Sequence, residues 1–168
     1  MEGILLQGMR QRIRAGYRRW VKDYARYARM RGFKSKTNDW PYVRRSFLEC
    51  WAAPGFHRFW QIWNPGIAYF VHRLYLRLGG RRHWTMPTLG AFLGCGLAHA
   101  LVAAPFAGRW PHQPVVAFAC FGVLTVLSRR LAPYLRQDRW SWVFNAVLNI
   151  GLVCGSFDLG FRVDRLLR

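Results

Sequence analysis

Three segments of this chain, residues 86–107, 113–128 and 141–161, are apolar and almost free of charge, and no other feature constrains the fold as strongly. A helix needs roughly 20 apolar residues to cross about 30 Å of hydrocarbon, and the first and third segments reach that length. The middle segment is shorter. It gains length if Leu131 and Ala132 enter the bilayer while Arg129 and Arg130 reach back to the interface. Lipid offers the backbone no hydrogen-bond partners, so these segments must close their own, and an all-α integral membrane fold with about three transmembrane helices is expected. Apolar residues placed in lipid are lost to a water-shielded core, so a chain of 168 residues built this way needs a bilayer or a larger complex.

The first half has the opposite character. A formal charge of +19 arises from 26 Lys and Arg against seven Asp and Glu, and most of the basic residues precede position 83. Anionic partners follow from that excess. Nucleic acid is excluded as the expected partner, because no zinc finger, helix-turn-helix or aromatic-basic RNA platform is present and long apolar segments are foreign to a soluble binder. Anionic lipid headgroups fit better, at about 1 kcal/mol per basic residue held near the surface. The nine tryptophans fit the same boundary, since the indole ring is apolar with one polar edge. Cys50, Cys95, Cys120 and Cys154 show no paired spacing and read as small packing residues, with no metal site. No secretory signal is expected, because Ile4-Leu5-Leu6 runs at once into Arg10, Arg12 and Arg14.

Residues 3–32 contain no proline and repeat Ile4, Met9, Ile13, Tyr17, Trp20, Tyr24, Tyr27 and Met30 at helical spacing between arginines. This predicts a basic amphipathic helix within a first region, 1–37, lying in the interface with Arg12, Arg14, Arg18 and Arg19 on lipid phosphates. Docking on a protein partner is the alternative. A second region, 38–85, opens with Asn38 or Asp39 as a cap and Pro41 early in a new helix. Pro54-Gly55 interrupts it and Pro65-Gly66 should kink or restart the stretch that follows. With His57, Arg58, His72, Arg73 and Arg77 inside 56–78, a simple span is disfavoured and a partly immersed or re-entrant helix pair is expected.

The third region, 86–168, holds the three spans. Arg129, Arg130, Arg136 and Arg139 in the 129–139 loop, against Arg109 alone in 108–112, put the N-terminal half and the 129–139 loop on the cytoplasmic side and the C-terminus across the membrane. Basic residues in the tail RVDRLLR pull the other way. Gly90 with Gly94, and Gly151 with Gly155, would allow close helix approach, within the chain or with another subunit. Asn145 and Asn149 stand one turn apart upstream of Asp158, and hydrogen bonding inside the bundle is the expected role for polar residues in a span.

Between Asp39 and His99 the chain reads DWPYVRRSFLECWAAPGFHRFWQIWN, then YFVHRLYLRLGGRR, then GAFLGCGLAHAL. This stretch resembles the membrane-bound O-acyltransferase (MBOAT) family, in which an aromatic FW-x-x-W precedes His or Asn, a basic-aromatic helix ends near Leu-Gly-Gly, and a later apolar helix carries a histidine in a Gly-Leu-x-His context. Phe59, Trp60, Trp63 and Asn64 match the first element, Arg73, Tyr75, Leu78, Gly79 and Gly80 the second, and Gly96, Leu97 and His99 the third. Pro65 directly after Asn64 departs from the pattern, and the many N-terminal spans that wall the family's reaction tunnel have no counterpart here.

The resemblance implies acyl transfer from a thioester donor to a hydroxyl acceptor, in a bacterial cytoplasmic membrane, with no tightly bound cofactor. It implies catalytic roles for His99 and Asn64 and substrate contacts at Trp60, Trp63, Arg73 and Tyr75. His99 also stands out physically, as the one histidine well inside an uncharged span, where it would serve as general base. Asn64 offers two uncharged donors to a donor group or an oxyanion. The alternatives are a histidine satisfied by a neighbouring helix and an asparagine capping the helix after Pro65. His57, His72, His83 and His112 fall near interfaces. Three spans enclose little, so a non-catalytic subunit of a larger membrane complex, derived from the same fold, stands as the second expectation.

Overall fold

The computed structural model describes residues 2–30 and 40–167, and it contains seven α-helices and one short 3₁₀ turn among them. The expected cap at Asn38 or Asp39 lies outside the described residues. The chain divides into two units, Met1–Val43 and Arg44–Arg168. In the first, α1 runs Glu2–Met30 without a break, as the absence of proline predicts. Arg12, Arg14, Arg18 and Arg19 are exposed on it, as are Ile13 and Tyr17.

The second unit is an all-α membrane fold. Three of its helices, α5 (Thr85–Ala107), α6 (Gln113–Leu135) and α7 (Trp142–Leu166), are long and apolar enough to cross a bilayer. All three outlast or match the expected spans. α6 continues through Arg129 and Arg130 to Leu135, where the charge pattern had predicted a loop, because a helix keeps its backbone hydrogen bonds in the headgroup region as readily as below it. A left-handed Arg136 ends it, and the 3₁₀ turn Gln137–Arg139 leads to Ser141, which caps α7 through Phe144 N–H at 3.2 Å.

α5 and α6 approach closely where side chains vanish. A methyl group on Gly96 would meet Phe118 Cβ, Pro114 O and Val115 Cα at 3.0 Å, and Gly122 lies against Phe92. α7 turns an unusual face inward: Asn145, Asn149, Ser156, Gly160 and Asp164 are its buried residues. In lipid the apolar side chains gain nothing by hiding, so the small and polar ones take the interior. Gly160 lets the backbone of Gln113 approach, whereas Gly151 and Gly155 face open space with nothing within 4 Å.

Ahead of the spans come α2 (Trp40–Trp51), α3 (Phe56–Ile62) and α4 (Pro65–Arg77). The expected restart at Pro65 is there, with proline in the first turn where its missing N–H costs nothing. α3 packs among the spans: Phe56 and Phe59 are buried, and Trp60 lies 4.9 Å from Phe121 and 5.2 Å from Phe92, centroid to centroid. α4 then runs antiparallel to α5, with Leu78 seated at Gly90 and Leu74 at Gly94. The Gly90 and Gly94 pair therefore admits α4 and not another span. Residues 56–78 thus form two consecutive helices, α3 and α4, and not one continuous one.

The turn between α2 and α3 is secured from α7. Asn149 Nδ2 donates to Trp51 O at 2.8 Å and to Ala53 O at 3.0 Å, and the side chain is only 1% exposed. These carbonyls close the C-terminal end of α2, which has no internal donors left to satisfy them. Gly55, at φ 92°, makes the corner in a conformation that L side chains rarely adopt, and it packs against the Gln137 side chain.

A second polar tie holds the opposite end of the bundle. Asp164, 4% exposed, receives Arg109 Nη2 at 2.6 Å and Nη1 at 3.3 Å, and the backbone N–H of His112 at 2.9 Å. The fork of the guanidinium matches the carboxylate, and this pairing raises the Arg109 pKa further. It fastens the 108–112 loop to the end of α7, so that loop and the C-terminus lie at the same end of the bundle.

Candidate functional site

The three elements of the acyltransferase resemblance fall on α3, α4 and α5, which pack against one another. Trp60 of the first element and His99 of the third both lie against Phe118 of α6, at 6.4 and 4.7 Å between ring centroids. Leu74 and Leu78 of the second rest on the glycines of α5. An aromatic cluster fills the space between: Phe59 stacks on Trp63 at 5.5 Å, Trp63 lies 4.9 Å from Phe47 and 5.7 Å from Trp51, and Phe118 lies 5.3 Å from Phe121. The Trp60 indole N–H is buried without a partner among the described residues.

His99 is exposed on α5. Its Nδ1 lies 2.8 Å from Cys95 O, one turn back on the same helix. A carbonyl only accepts, so the neutral ring carries its proton on Nδ1 and presents Nε2 as the free basic nitrogen. Stacking at 30° on Phe118 holds the ring plane.

Asn64 sits where α3 turns into α4, in the left-handed region at φ 33°, and its Oδ1 accepts from Ile67 N at 3.3 Å. The capping role weighed from sequence is thus present. Capping engages only the oxygen, and the amide nitrogen remains available to donate. No direct contact joins Asn64 to His99.

The remaining site residues divide. Trp60 and Trp63 belong to the aromatic cluster just described. Tyr75 donates its hydroxyl to Gly80 O at 2.5 Å, and its ring lies over Gly80 where any Cβ would collide. This latches the Gly-Gly turn that returns the chain to α5. Arg73 lies 5.9 Å above the Tyr69 ring on α4 itself. Tyr75 thus serves the α4–α5 connection, and Arg73 packs within α4.

Sequence reasoning passed over two polar sites. One is Asp164, whose partner Arg109 is 55 residues away; the signal was a lone acid within an arginine-rich tail facing the only arginine of the 108–112 loop. The other is His57, whose Nδ1 lies 3.1 Å from Ser128 Oγ on α6. Burial first, and the charges of Arg58 and Arg129 second, push its pKa down, so the ring stays neutral at lower pH than an ordinary histidine. Asp158, expected to hydrogen-bond inside the bundle, is instead exposed and accepts from Arg162 Nε at 2.7 Å. Cys50 is wholly buried, with its thiol pKa pushed up to about 11 by burial, and is chemically inert there.

No family model, curated protein or solved structure matches this chain.

Proposed function

We propose that this is an MBOAT-like membrane protein that transfers an acyl group from a thioester donor to a hydroxyl acceptor, with His99 as general base. The observation that carries the reading is the meeting of Trp60 and His99 on Phe118, together with the tautomer that leaves Nε2 free. In the reaction, Nε2 takes the acceptor's proton as its oxygen attacks the thioester carbonyl; the C–S bond then breaks and the thiolate leaves with that proton. The Asn64 amide would donate to the carbonyl oxygen as charge develops. With His99 exposed, the site is open on one side, and another membrane subunit would complete its enclosure.

A second reading, a non-catalytic subunit of a membrane complex, draws support from α7. A Cβ on Gly151 or Gly155 would meet nothing within 4 Å among the described residues, and Asp158 and Arg162 share their outward face. Gentle purification from the native membrane separates the two readings. A co-purifying acyl thioester or transfer activity supports the first, and companion subunits without either support the second.

The orientation proposed is the N-terminal half and the 129–139 loop in the cytoplasm, with Arg12, Arg14, Arg18 and Arg19 of α1 on anionic headgroups. Reporter fusions at the two termini should then report opposite compartments. The same compartment at both ends would contradict it.

A further inference from the structure

The arginines at the start of α3 and toward the end of α6 meet no carboxylate among the described residues. The guanidinium of Arg129 lies 4.5 Å over the Trp84 ring, and that of Arg130 lies 5.8 Å from the same ring. Held by its face on an aromatic ring, a guanidinium keeps its edge N–H donors free. Arg58 stands on the adjoining start of α3, next to His57, whose backbone N–H and Nδ1 both reach Ser128 Oγ, at 3.4 and 3.1 Å. Among the described residues, none of Arg58, Arg129 and Arg130 forms an ion pair, although the structure pairs Arg45, Arg109 and Arg162 with acids.

We propose that a phospholipid with an anionic headgroup binds here, its phosphate held by Arg58 and Arg129 beside Trp84 and Ser128. Two guanidinium groups, unpaired among the described residues, offer several donors to an anion with several acceptor oxygens. Its depth selects a lipid over a free phosphate. Trp84 and Ser128 mark the boundary of the apolar parts of α5 and α6, and the next exposed side chains toward the hydrocarbon, Met86 and Leu127, are apolar and suited to acyl chains. The proposal does not depend on the acyl-transfer reading.

The full-length protein in mild detergent, offered phosphatidylglycerol or phosphatidylcholine, should retain phosphatidylglycerol preferentially, read by native mass spectrometry. The double variant Arg58→Gln/Arg129→Gln should lower that retention roughly thirtyfold, as two basic side chains at an anionic surface imply. Arg165→Gln, exposed at the C-terminal end of α7, should leave the retained lipid in place. Full retention by the first pair of substitutions, or displacement of the lipid by inorganic phosphate alone, overturns the proposal.

A measurement on the unaltered protein guards against misfolding of the variant. The His57 ring faces Arg58 on its own helix and Ser128 and Arg129 on α6, with Gln137 packed across Gly55. A phosphate seated there offsets both guanidinium charges and favours the imidazolium. The His57 titration midpoint should therefore rise in phosphatidylglycerol bilayers relative to phosphatidylcholine. An unmoved midpoint overturns the site.

Discussion

Replacing His99 with alanine should lower acyl transfer by about a hundred- to ten-thousandfold, the usual contribution of a positioned proton acceptor. The helix should be unharmed, because alanine is the best helix former and the lost hydrogen bond returns only to Cys95 O on the same helix. Helical content and any companion subunits should therefore persist while product disappears. Asn64 needs a different substitution, since its φ of 33° is unfavourable for alanine. Asn64→Gly keeps that backbone conformation and removes the amide, so a loss of transfer with retained stability would trace to its donors. Acylation measured beside complex integrity decides the matter: unaltered acylation in His99→Ala ends the enzymatic reading.

Asn149→Leu should destabilise the protein by about 2–4 kcal/mol, the largest effect expected of a single substitution outside the catalytic pair. The replacement is close in volume, so no large cavity arises. What it removes is the donor for Trp51 O and Ala53 O, the first part-buried and the second buried. Buried carbonyls left unpaired cost about 1–3 kcal/mol each, and relaxation of the turn recovers part of that. Reversible unfolding in mixed micelles measures the difference. A change below about 0.5 kcal/mol would mean that these carbonyls find other partners and that the α2–α3 turn is wetter than the structure implies.

Much of this fold could be read from the sequence because lipid imposes length and charge rules that act residue by residue. The segments 86–107, 113–128 and 141–161 coincide, apart from the capping Ser141, with three helices long and apolar enough to span, and the breaks at Pro54-Gly55 and Pro65-Gly66 separate α2, α3 and α4. Asn145 and Asn149 faced the interior as polar residues in a span should, but the acceptors of Asn149, 96 and 98 residues upstream, had no local signature. The same holds for Arg109 with Asp164 and for His57 with Ser128: each pairing depends on which helix lies beside which, and periodicity within one helix carries no such information. The end of α6 was missed for another reason. Charge reports where hydrocarbon stops, whereas a helix stops where its backbone turns, here at Arg136.

Asn149 also has a place in time. A ribosome delivers Trp51 and Ala53 almost a hundred residues before the side chain that bonds their carbonyls. Until α7 has been made, the α2–α3 corner lacks the donor that holds both of those carbonyls, although α5 and α6 already offer α3 its aromatic contacts. The polar tie of the corner is therefore formed later in synthesis than the packing beside it.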